Sequence, residues 1–173
     1  MKIEKKSYYF IKDKYFVFAN DKHLLLNKEN HHSRPCFFVV QEENQILWLV
    51  PISSKIEKYR SIYTKKKKKL GFCNTIIFGT MLNRDCVFLL QNIFPVTKKY
   101  ILKKYVIGKE KSPVKIENEL ADEIIEKSNK ILSLVRNGNK NIVFPDILEI
   151  ERKLLEELNK EEQSVAFDQK SFY

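Results

Sequence analysis

Two apolar runs separated by a polar break decide how this chain is read: Arg34-Pro35-Cys36-Phe37-Phe38-Val39-Val40, then Gln41-Glu42-Glu43-Asn44, then Ile46-Leu47-Trp48-Leu49-Val50-Pro51-Ile52-Ser53-Ser54-Lys55. Both runs have strand length and are rich in aromatic and β-branched residues, and the break has turn composition, so the segment predicts a β-hairpin. A hairpin closed at residues 41–44 brings its two open ends side by side. Arg34, preceded by His31 and His32, then lies near Ser53, Ser54 and Lys55. A guanidinium, an ammonium and two hydroxyls at one place suit a phosphodiester, because they pair with its oxygens and offset the charge that develops there. None of the four is a metal ligand of the usual kind. The pattern points to metal-independent chemistry on a phosphate, with no cofactor.

Working outward, charge narrows the partner. The chain has 173 residues and a net charge of +10. Residues 1–115 hold 24 Lys and Arg against 9 Asp and Glu, whereas residues 116–162 hold 7 against 12. A basic body joined to an acidic C-terminal part places the polyanion surface on the body alone, and nucleic acid is the leading partner. The run Lys65, Lys66, Lys67, Lys68 and Lys69 is the densest basic feature, read as RNA contact rather than as a merely solvated loop. Lys14, Lys28, His31, Lys58, Tyr59 and Arg60 are further RNA-binding candidates. No apolar run has the length of a membrane span and no secretory leader is evident, so a cytoplasmic protein without membrane contact is expected. Cys36, Cys73 and Cys86 have unpatterned spacing and read as buried, reduced thiols.

The remaining sequence predicts one α+β domain. Aromatic residues 7–18 suggest a strand followed by a short helix or a second extended piece. Ile56, Tyr59, Ile62 and Tyr63 recur at helical spacing, closed by the lysine run. Residues 73–78 and 85–93 are strand-like, with Asn83-Arg84-Asp85 between them as turn chemistry. Leu120, Ile124, Ile131, Leu132 and Val135 form a helical stripe ended by Gly138, and Pro145-Asp146 opens a second helix with Glu149 in capping-box position. The two helices would cover an open face of the sheet. The expected divisions are a basic body at 1–115, a helical pair at 116–160 and a tail at 161–173.

Several chemistries lack their residues. Asp and Glu share no spacing that would gather a two-metal site, the three histidines have no cysteine partners at zinc spacing, and the glycines are too isolated for a phosphate loop. A basic recognition helix after a helix-turn is missing, which disfavours a DNA-directed regulator. The alternative to a nuclease is a non-catalytic RNA-binding module.

The motifs resemble two connected families. Arg34-Pro35 opening an apolar strand, and Val50-Pro51-Ile52-Ser53-Ser54 closing the next, resemble the MazF/PemK-like ribonuclease toxins. Lys14-Tyr15-Phe16, Pro51-Ile52-Ser53-Ser54-Lys55 and Gln91-Asn92-Ile93-Phe94-Pro95-Val96 together resemble the type III toxin–antitoxin toxins of the ToxN, AbiQ and CptN kind, and most of all the CptN branch. The resemblance implies a small, strongly bent antiparallel β-barrel, SH3-like, with added helices. It implies an endoribonuclease toxin that cuts single-stranded RNA by 2′-hydroxyl attack, leaving a 2′,3′-cyclic phosphate. It also implies that the toxin processes, and is inhibited by, a repeat-derived structured antitoxin RNA, with cellular or phage RNA as the other substrate. Protein and RNA would close into an RNA-bridged ring. Tyr15, Arg34, Ser53, Ser54, Lys55 and His32 are the catalytic candidates, with the general base open among His32, Lys55 and the substrate itself.

Overall fold

A computed structural model describes residues 2–29 and 32–170, with the side chains of Glu29 and of residues 165–170 outside the description. The sheet body runs β1 (Tyr8–Ile11), α1 (Asp13–Ala19), β2 (Lys28–Glu29), β3 (His32–Ser33), β4 (Cys36–Gln41), β5 (Leu47–Ser53), α2 (Ile56–Leu70), β6 (Ile76–Met81), β7 (Arg84–Leu89), β8 (Phe94–Val96) and β9 (Ile101–Lys104). A small ladder of β10 (Val106–Ile107) and β11 (Ser112–Pro113) precedes α3 (Asn118–Arg136) and α4 (Ile147–Lys170). The fold is α+β with an antiparallel sheet.

The hairpin forms as read, with Phe37 opposite Val50 and Cys36 opposite Pro51. Its turn lies slightly later than expected, closed by the Glu42 amide donating to the Ile46 carbonyl at 2.9 Å, with Gln45 at φ +68°. Strand order is β6-β7-β5-β4-β1-β9, with β8 also on β5. Strand β5 therefore divides one edge between two partners: residues 47–49 pair with β8, and Ile52 and Ser53 pair with β7. Pro51 sits between the two sets, where the chain needs no N–H to donate. Among the described residues the strand path runs from β6 to β9, with no pairing between those two strands.

Elsewhere the boundaries shift. Helix α2 takes up the whole lysine run instead of ending before it, since Lys is a good helix former and cations suit a helix C-terminus. The hairpin β6–β7 turns at Leu82-Asn83, both with positive φ, rather than at residues 83–85. Helix α4 continues to Lys170, past the expected tail start; residues 171–173 lie outside the described residues.

Helices α3 and α4 add Ala121, Ile124, Ile131, Leu132, Ile147, Ile150 and Leu154 to the same core as Tyr8, Phe37, Trp48 and Phe88. Gly79 in β6 lets α3 approach, because a Cβ there would lie 2.5 Å from Leu120. Polar ties reinforce the docking. Asp146 caps α4 by accepting from the Glu149 amide at 3.2 Å, and Lys99 pairs with Glu157 at 2.8 Å. Arg136 at the end of α3 bonds Glu42 of the hairpin at 2.6 Å and Glu151 of α4 at 3.0 Å, over the ring of Trp48.

Burial, with the neighbouring Glu42 carboxylate, raises the Glu151 carboxyl, and Arg136 works against that rise. In Arg136→Ala the folded-state pKa of Glu151 should rise further above its unfolded value, so the loss of stability appears as pH rises through the carboxylate range and fades below it. Because Arg136 is 42% exposed, a loss of about 1–2 kcal/mol at neutral pH is expected, shrinking near pH ~4. Urea unfolding at both pH values measures it.

Candidate active site

Antiparallel register extends the Cys36–Pro51 pair to set Arg34 across from Ser53. Arg34 is a buried cation at 8% exposure. Its Nη1 donates to the Ile52 carbonyl at 2.7 Å and its Nε to the Leu26 carbonyl at 3.1 Å, while its amide donates to the Asn27 carbonyl at 2.6 Å. One guanidinium thus ties the loop before the hairpin to the end of β5. Beyond Ile52 the chain turns sharply into α2. The Ser53 oxygen accepts from the Lys55 amide at 3.2 Å, and the Ile56 amide donates to the Ser54 carbonyl at 2.9 Å. Ser53 is buried, whereas Ser54 and Lys55 are exposed at the start of a 15-residue helix whose positive dipole end favours anions.

These ends open on a cleft of about 500 Å³. His32, Arg34, Ser53 and Ser54 line one part of it. The rest of the lining, not picked out in the sequence, includes Phe10, Tyr105, Met81, Leu82, Arg84, Asp85 and Cys86. Only the turn chemistry around Asn83 hinted at this part; the pairing of β6 with β7 and of β1 with β9 brings it there. Burial pushes the Cys36 and Cys86 thiols up to about 12, so neither is a thiolate near neutral pH. All three cysteines are free and buried. Among the described residues no three His, Cys, Asp or Glu side chains come together, and no helix is long and apolar enough to cross a membrane.

Other expected site residues stand elsewhere. Tyr15 is fully buried, packed on Phe16, Phe94 and Tyr100, and its hydroxyl donates to the Pro95 carbonyl at 2.6 Å. It sits in the aromatic core rather than on the cleft lining. Tyr59 is likewise inside, in a small cluster with Ile76, Val87 and Leu89 under α2. Lys66 turns inward, donating to Gln91 at 2.6 Å and Thr75 at 3.0 Å, and burial lowers its pKa. Lys55 is exposed just beyond the cleft lining. Lys14, Lys58 and Arg60 are exposed, each over an aromatic ring, and Lys28 is paired with Asp13 at 3.7 Å. Lys65, Lys67, Lys68 and Lys69 ring the last turns of α2. At a rise of about 1.5 Å per residue they stand roughly 14–20 Å from its first residue, not beside the cleft. His31 lies outside the described residues.

No protein-family model matches the chain, and no curated protein matches it by sequence. Two solved structures do resemble it. AbiQ, a lactococcal anti-phage endoribonuclease belonging to the type-III toxin–antitoxin system, superposes with a TM-score of 0.64 at 16% identity, over 87% of this chain and 96% of AbiQ. A second, from work on bacterial type III toxin–antitoxin systems in which a non-coding RNA pseudoknot selectively inhibits the toxin, gives 0.62 at 18% identity, over 88% and 98%. Over nearly the full length of both, the chain has the fold of type III toxin–antitoxin structures such as AbiQ.

Proposed function

We propose that this protein is the endoribonuclease toxin of a type III toxin–antitoxin system and cuts single-stranded RNA without a metal. The observation that carries the reading is the meeting of Arg34, Ser53, Ser54 and His32 on one cleft, within a fold shared with AbiQ. RNA supplies its own nucleophile, so a metal-bound water is not needed. The 2′-hydroxyl attacks phosphorus, the P–O5′ bond breaks, the 5′-oxygen takes a proton from water and leaves as a hydroxyl, and a 2′,3′-cyclic phosphate remains. Ser54 donates to a non-bridging oxygen at the rim. Ser53 fixes the turn that presents Ser54 and the first amides of α2. Arg34 supplies positive charge from below and Lys55 from the rim, and His32 takes the 2′-hydroxyl proton.

In this reading the exposed lysines of α2 hold flanking phosphates. The inhibitor is a structured RNA cut by the toxin from a repeat transcript, assembled with it into a closed RNA-bridged ring in the cytoplasm. Kinship with the barrel of the MazF/PemK-like toxins, and a single domain of body, helical pair and tail, belong to the same proposal. A non-catalytic RNA-binding module is the second reading, favoured by the basic ring on α2 at a distance from the cleft.

Incubating the protein with single-stranded RNA in EDTA should give fragments ending in 2′,3′-cyclic phosphate. Binding without cleavage would select the second reading, and cleavage that requires Mg²⁺ or Zn²⁺ would overturn the mechanism. Ser54→Ala should slow cleavage by about 10²–10³ while leaving stability within ~0.5 kcal/mol, and should relieve growth arrest when the toxin is expressed alone. Arg34→Lys should act differently. A single ammonium cannot span the Leu26 and Ile52 carbonyls, so it should lose about 1–3 kcal/mol of stability by thermal unfolding as well as activity.

A further inference from the structure

Resting on the RNA-cleaving reading for its ligand, we propose that the far half of the cleft is a seat for one unpaired RNA base beside the linkage that is cut, with Arg84 reading the base's acceptor edge. Phe10 and Tyr105 form one wall. Their ring centroids are 4.9 Å apart, both rings are half-buried, and Lys103 lies 5.6 Å over the Phe10 ring. Aromatic faces left open on a cleft are stacking surfaces for bases, and every base has a face to stack.

The tip of the β6–β7 hairpin lines the same cleft. Met81 pairs with Arg84 across a two-residue turn in which Leu82 and Asn83 have φ of +54° and +58°. Asn, Asp and Gly suit such a turn; a leucine at its first position is strained. Leu82 nevertheless stands there, 40% exposed and lining the cleft. Strain kept at an exposed apolar position marks a place where the side chain serves something other than folding. A base held in the cleft that Leu82 lines with the Phe10–Tyr105 pair gives it that use.

Arg84 lines the cleft together with Met81 and Cys86, with Asp85 on the same lining. Among the described residues the Arg84 side chain makes neither an ion pair nor a hydrogen bond, whereas Lys6, Lys99, Lys104 and Arg136 are all paired. An exposed arginine lining a stacking slot is a donor fork for a base that presents acceptors, and guanine O6 with N7 fits it best. The cleft volume of about 500 Å³ is that of a site for one small ligand.

The test uses the full chain and 2′-O-methyl RNA hexamers of A, C, G or U, which cannot be cut, with affinity read by fluorescence anisotropy and stacking by 2-aminopurine quenching. The wild type should prefer one base, guanine above all, by about 10-fold or more. Arg84→Gln should erase most of that preference while leaving the weakest hexamer nearly unchanged. Leu82→Gly should raise the thermal midpoint by a few degrees yet weaken binding of the preferred hexamer and reduce quenching. Equal affinities for all four hexamers would overturn the proposal. So would a uniform loss in Arg84→Gln with a salt slope smaller by about one contact, the mark of a phosphate ligand. Absence of cleavage of unmodified RNA alongside Arg84-dependent preference would instead overturn the nuclease reading and leave the base seat standing.

Discussion

Strand β5 has one edge on β4 and shares the other between β8 and β7, and that division places the site. Residues 47–49 belong to the aromatic core, where Trp48 is fully buried. Past Pro51, which has no amide hydrogen to pair, Ile52 and Ser53 pass to β7. The strand then ends against the open end of its hairpin, and α2 begins within three residues. Arg34 makes the arrangement rigid. Its planar fork ties the carbonyls of Leu26 and Ile52, so a charge stays at a place the backbone sets. A buried guanidinium is costly unless its donors are met; the Leu26 and Ile52 carbonyls meet two of them and fix the group at the end of β5.

Charge is divided in the same spirit. In the helical pair many acids are used locally, as in Glu123 with Lys127, Glu126 with Lys130, and Glu149 with Arg152. Such exposed pairs add little stability, and with 7 Lys and Arg against 12 Asp and Glu the helical part keeps its acidic excess. The body keeps its excess of cations on surfaces that face solvent, which suits a partner with repeated negative charge.

The cleft joins two kinds of surface. At one end are polar groups held by strand ends and a helix start, and at the other aromatic rings and a strained hairpin tip. Chemistry and selection of the linkage would then sit on separate elements, so the β6–β7 tip can change without disturbing Arg34 or the Ser53 turn. The core position of Tyr15 fits this division: its hydroxyl is consumed by Pro95, and it supports β8 rather than the substrate.

Much of this was legible in the residues. The hairpin, the approach of Arg34 to Ser53 and Ser54, the first strand and helix, the Gly138 stop and the Asp146 cap all follow from periodicity, turn chemistry and capping, which act over a few residues. Inside or outside was harder to read for Tyr15, Tyr59 and Lys66, because an aromatic or a long cation in an amphipathic stretch satisfies either reading until its neighbours are known. The strand path, the inward turn of Lys66 and the wall of Phe10, Tyr105, Leu82 and Arg84 depend on contacts between segments up to about a hundred residues apart. Local patterns determined which groups this chain could offer a phosphate; only the pairing of distant strands decided which of them share a cleft, because register and burial are properties of partners and not of the segment alone.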